Sequence, residues 1–196
     1  MTKWVSTLLV LAGSAMVFPD TTAYGTKKEK VREEVAVIDT NMGRFTMRFF
    51  SQESPKTVEK FKSLVRAKFF DGILFHRVLP GLLVQGGDPQ TRSEALEAEV
   101  TAEPVALETN DLKHHPGTVS MAHPKDDTTS RSEFFICLQE VAYFDGKYTI
   151  IGEVISGLKV VDSISNVPRD LKQTPLFPVR IRKLSLETQE FMKEVK

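Results

Sequence analysis

Cysteine occurs once in 196 residues, at Cys137. That excludes an internal disulfide and any cysteine-based zinc site, and it leaves the redox compartment open. Net charge is lacking too: 26 Lys and Arg residues balance 26 Asp and Glu residues, with no block of like charge. A nucleic-acid footprint or a funnel for acidic substrates is thereby disfavoured. There is no N-x-S/T sequon and no strand–helix–strand alternation of the kind that builds a parallel sheet. The length suits one domain with a real core plus short extensions.

The longest apolar run is near the start. Lys3 precedes Val5 to Phe18, broken only by Ser6, Thr7, Gly13 and Ser14. This suits the apolar region of a signal peptide and is short for a membrane span. Small residues around Thr22 to Gly25 offer a cleavage site without the A-x-A pattern, and no lipid-carrying cysteine follows. Residues 1–25 are therefore read as a signal peptide, giving a secreted or periplasmic product, with an uncleaved membrane anchor as the alternative. Residues 26–34 read as a charged linker, 35–188 as the folded domain, and 189–196 as the end of a polar, helical tail.

Within the domain, Val35–Thr40 and Arg44–Phe50 read as a hairpin turning at Asn41-Met42-Gly43, with Phe45, Met47 and Phe49 on one face. Ser54-Pro55 supplies an N-cap and a first-turn proline for a helix over 55–68, whose Val58, Phe61, Leu64 and Val65 share one side. Residues 89–116 lack periodicity and read as loops, with a short strand near Val105 to Leu107. Strands follow at Thr118–Ala122, Glu133–Leu138 and Tyr148–Val154, then a helix over 156–164 and a closing strand over 178–186. Many short strands with two helices predict a mainly β fold, a closed eight-stranded antiparallel barrel.

The most informative stretch is Phe75-His76-Arg77-Val78-Leu79-Pro80-Gly81-Leu82-Leu83-Val84-Gln85-Gly86-Gly87-Asp88. Two apolar strands meet at the Pro80-Gly81 turn, and Arg77 and Gln85 interrupt them. Burying either side chain without a partner is costly, so both are expected to face a groove. With Ser120-Met121-Ala122, Ser132-Glu133-Phe134-Phe135-Ile136-Cys137 and Phe144-Asp145-Gly146-Lys147, this stretch resembles the cyclophilin signature in order and near-spacing over residues 35–188. Bacterial exported members look most alike.

The resemblance implies an eight-stranded barrel capped by two helices that isomerises X-Pro peptide bonds without a cofactor. It makes Arg77 the catalytic arginine and places Phe135, Leu82, Leu83 and Tyr148 around the proline. Gln85 is implied to bond the substrate backbone, and Ala122 with His123 to meet the residue before proline. Glu133, Tyr143 and Phe144 complete the implied contacts. Spacing alone adds that Leu83 and Gln85 share a strand face, and that Phe134 and Phe135 point opposite ways.

Several positions depart from the family pattern. Leu82 and Leu83 stand for Phe and Met, His123-Pro124 for Asn-Ala, and Glu133 for Gln. Tyr148 stands for His, and Tyr143 for the Trp associated with tight cyclosporin binding, so weak cyclosporin affinity is expected. His114-His115 are adjacent and lack coordinating spacing, so no metal is implied. The expected partners are proline-containing polypeptides met by a monomer, without nucleic acid, and a membrane only if the leader stays attached. The rival reading is a binding module or chaperone on the same fold with little turnover.

Overall fold

The computed structural model describes residues 27–92, 103–124 and 129–195, so the leader expected over 1–25 lies outside the described residues. In chain order the elements are β1 (Lys27–Thr40), β2 (Gly43–Phe49), α1 (Pro55–Arg66), β3 (Phe75–Leu79), β4 (Leu83–Gly86), β5 (Val105–Ala106), β6 (Thr118–Met121), β7 (Thr129–Ser130), β8 (Phe134–Cys137), β9 (Ile150–Ser156), α2 (Leu158–Ser165) and β10 (Ile181–Val195). Eight strands form one antiparallel sheet ordered β10-β1-β2-β9-β6-β8-β4-β3, and β5 pairs with β7 apart from it.

The fold is mainly β with two helices, as expected, but its end strands form no ladder. Between them lie the isolated Leu74↔Arg180 bridge and a few backbone bonds, such as Phe75 N–H to the Val179 carbonyl at 2.8 Å. The closed barrel expected from strand number therefore becomes a curved sheet with a seam.

Alternation builds the core. Val78, Val84, Ile136 and Val119 are mutual partners across β3, β4, β8 and β6, and all four are fully buried. The next core-facing row brings in Phe75 and Phe134, whose rings meet edge-on at 6.1 Å. Phe61 of α1 stacks on Phe70 at 4.8 Å and meets Phe134 edge-on at 5.6 Å. α2 contributes Val161 and Ile164.

The start of α1 departs from expectation. The Ser54 hydroxyl donates to the Ile150 carbonyl at 2.7 Å and makes no cap bond. Glu108, 51 residues away, caps the helix instead, accepting from the Thr57 N–H at 2.8 Å, the Thr57 hydroxyl at 2.7 Å and the Lys56 N–H at 3.2 Å. A carboxylate there also meets the positive end of the helix dipole. Burial pushes its pKa upward, but the Thr57 and Lys56 bonds outweigh that and hold it below the ordinary range.

Both chain ends are also recast. Residues 27–34, read as a linker, pair residue by residue with 188–195, read as a helical tail. Neither face of this ribbon reaches the core, so neither strand carries apolar alternation. It is tied instead by Val31 opposite Phe191 and by ion pairs such as Lys193–Glu33 at 2.5 Å.

Replacing Glu108 by Ala is expected to lower folding stability by about 1 kcal/mol near neutral pH. A lowered carboxylate pKa stabilises above the ordinary range and loses that contribution as pH falls through the lowered value. Denaturation of wild type and variant should therefore differ at pH 7 and converge in acid.

Candidate active site

Opposite residues on paired strands point to the same face. The face away from the core holds a second row across the same four strands: Arg77 opposite Gln85, Gln85 opposite Phe135, Phe135 opposite Ser120. One step along the strands, Leu79, Leu83 and Cys137 form a parallel row on that face. Arg77 and Gln85 thus interrupt apolar strands because they belong to the outer face. Phe134 enters the core and Phe135 the outer cluster, as alternation requires.

The polar half of the row is a directed chain of hydrogen bonds. Glu133 Oε2 accepts from Gln85 Nε2 at 2.8 Å and lies 3.4 Å from His76 Nε2. This fixes the Gln85 amide with its oxygen towards Arg77, whose Nη1–H donates to it at 3.4 Å. Arg77 Nε–H donates to Gln173 Oε1 at 2.7 Å. These bonds use two of the five guanidinium N–H groups, and the exposed side chain presents the rest to solvent. The His76 contact, with help from Gln85 and against burial, holds the Glu133 carboxyl below its usual range. It stays an acceptor, and the chain keeps its polarity.

The apolar half is an aromatic cup. Leu83, Phe135 and Cys137 are buried together, with Leu79, Leu82, Ala122, Val141, Phe144 and Tyr148 packed around them. Phe135 meets Phe144 at 5.4 Å and Tyr148 at 5.3 Å, both edge-on. Burial pushes the Cys137 thiol up to about 12, so it is inert. Gly87 closes β4 at φ +96°, where a Cβ would run into the Ser132 carbonyl.

Beneath Phe135 lies a relay that motif reading did not find. The fully buried His114 ring stacks on Phe135 at 6.1 Å, with Nδ1 2.9 Å from Asp145 Oδ1 and Nε2 2.9 Å from the Ser120 hydroxyl. Burial outweighs the Asp145 bond and pushes the ring's pKa down, so it is neutral: Nδ1–H donates to Asp145, and Nε2 accepts from Ser120. Ser120 is fully buried and unavailable as a nucleophile.

Two further residues of the implied site lie at its rim. Tyr143 is 74% exposed, outside the cup, with the Lys147 ammonium 3.2 Å from its ring centre. His123 stacks on Tyr148 at 4.7 Å, and its ring nitrogens lie 2.8 Å from the carbonyls of Pro124 and Lys147. Carbonyls only accept, so the imidazolium makes both bonds and the neutral ring one. Ala122 is half-buried and packs against the Leu83, Phe135 and Cys137 cluster.

An exposed arginine and an apolar aromatic cluster thus lie side by side on one face of the sheet. Residues 35–186 match the family model described as cyclophilin type peptidyl-prolyl cis-trans isomerase/CLD. The chain belongs to this family. Its relatives include the isomerase ppi1 of Schizosaccharomyces pombe, 34% identical over 148 residues, covering 74% of this chain and 94% of ppi1. A peptidyl-prolyl cis-trans isomerase of Acinetobacter baylyi is 31% identical, covering 76% of this chain and 83% of the relative. The crystal structure of a Cryptosporidium parvum cyclophilin superposes with a TM-score of 0.71 at 27% identity, over 80% of this chain and 98% of that one. Fungal and bacterial relatives match comparably, so these likenesses do not single out the exported bacterial members. Among the described residues no helix is long and apolar enough to cross a membrane.

Unfolding exposes His114, which then takes up a proton that the buried ring refuses. Stability of this isomerase should therefore fall as pH drops from neutral to about 5, through the ordinary histidine range. His114→Gln should flatten that segment of the pH–stability curve, measured by urea unfolding.

Proposed function

We propose that this cyclophilin turns X-Pro bonds by clasping the proline ring in the Phe135 cup while Arg77 stabilises the twisted amide. The observation that carries the reading is the shared row: Arg77, Gln85 and Phe135 are consecutive cross-strand partners on one face, clear of the core. Rotation costs about 18–20 kcal/mol because it breaks amide resonance. At the transition state the prolyl nitrogen becomes pyramidal and gains a lone pair. A donor fixed there binds that state better than either ground state. Guanidinium suits the task, being planar, multiply donating and charged at any physiological pH.

Leu82, Leu83, Phe144 and Tyr148 hold the ring with Phe135, and Gln85 bonds the substrate backbone. Glu133 acts through Gln85 by fixing which way its amide faces. Ala122 and His123 meet the residue before proline, and Tyr143 offers a rim contact farther out. A second solved structure of the Cryptosporidium parvum cyclophilin was obtained in the presence of the dipeptide Ala-Pro, the class of ligand proposed for this chain. An acceleration of about 10⁵-fold needs roughly 7 kcal/mol, so cup and arginine must act together. Clients are unfolded or newly exported chains, met by a monomer exported through the apolar run Val5–Phe18. There X-Pro exchange is slow enough to limit folding.

The test is cis–trans exchange of an Ala-Pro peptide followed by NMR. Wild type should accelerate exchange, and Arg77→Ala should lose about 100-fold or more of kcat/KM, as expected for removing a transition-state donor. Binding without acceleration by wild type would instead establish the binding module.

A further inference from the structure

We infer that Gln173 is the positioning residue for the arginine of the proposed site. The inference rests on that assignment of Arg77. Gln173 lies 96 residues beyond Arg77, in the connection between α2 and β10, and its Oε1 accepts from the Arg77 Nε–H at 2.7 Å. Among the described residues the only other bond on the guanidinium, to Gln85, is longer, at 3.4 Å. Nε is where the planar fork joins its flexible stem. A bond at Nε therefore fixes the plane of the fork and leaves its outer N–H groups free for substrate.

The main chain of Gln173 is held just as closely. Its carbonyl accepts from the N–H of Val78, the residue after Arg77, at 2.8 Å. Side chain and backbone of one residue thus grip consecutive positions of β3. The turn itself is tied by Asp170, whose Oδ1 accepts from the N–H groups of Lys172 at 2.8 Å and Thr174 at 2.9 Å. Gln173 N–H donates to the Asp170 carbonyl at 3.0 Å.

This placement is strained. Gln173 has φ +70°, a left-handed conformation that favours glycine, and Lys68 is the only other non-glycine residue with positive φ among those described. Glycine would relax the turn and keep the backbone bond to Val78, but it would lose the amide that holds Arg77. A strained non-glycine residue contacting a site points to selection for its side chain. The neutral amide matters too, because it orients the guanidinium without neutralising the charge that faces the amide.

Gln173→Gly and Gln173→Ala separate this role from a structural one. Gln173→Gly is expected to keep or raise Tm while kcat/KM for an Ala-Pro peptide falls about tenfold, the scale of a misoriented catalytic group. Peptide Kd should change by less than about twofold, since the cup is untouched. The Arg77 Nε–H resonance, identified by its loss in Arg77→Ala, should shift and exchange faster with water in both Gln173 variants. Gln173→Glu, which keeps the acceptor but adds charge, should keep that resonance protected and still lose rate. Loss of activity in Arg77→Ala with full activity in Gln173→Gly would overturn the inference alone. Full activity in Arg77→Ala would overturn the proposed site and this inference with it.

Discussion

In-register antiparallel pairing of β3, β4, β8 and β6 is the constraint on which the rest of this molecule depends. Side chains alternate along each strand, so one register gives two rows with opposite purposes. Val78, Val84, Ile136 and Val119 seal the core, while Arg77, Gln85, Phe135 and Ser120 line the outer face. A one-residue slip would exchange the rows and bury an arginine. The packing that stabilises the fold is therefore also what holds the site together.

From that row, polar and apolar supports diverge. On one side Glu133 fixes Gln85, Gln85 meets Arg77, and Gln173 takes the other edge of the guanidinium. On the other, His114 backs Phe135 and is itself pinned by Asp145 and Ser120. Each supporting group has one sensible protonation state, because burial or a partner has moved its pKa away from the range where it would switch. The outer row thus presents fixed donors beside a fixed aromatic wall, the two features that the proposed differential binding uses.

How much of this was legible in the sequence follows from distance along the chain. Phe134 and Phe135 had to face opposite ways, and Leu83 and Gln85 had to share a face. Period-two geometry is local, and motif order carried the rest of the cup. Glu108 capping α1 and Gln173 holding Arg77 were invisible, because each is a lone polar residue in a loop far from its partner. The β1–β10 ribbon was missed for a different reason: outside the core, strands need no apolar face. The Tyr143 ring lies against Lys147 and largely in solvent, a placement that position in the motif does not specify.

The central claim is spatial: proline sits against Phe135 with its amide facing Arg77. A crystal structure of the protein with a bound Ala-Pro peptide tests it most directly. The account predicts the ring in the cup of Leu83, Phe135 and Tyr148, with an Arg77 guanidinium nitrogen within about 3.5 Å of the prolyl amide, hydrogen-bond reach. A peptide bound elsewhere, or bound in the cup with Arg77 still turned to solvent, would contradict it.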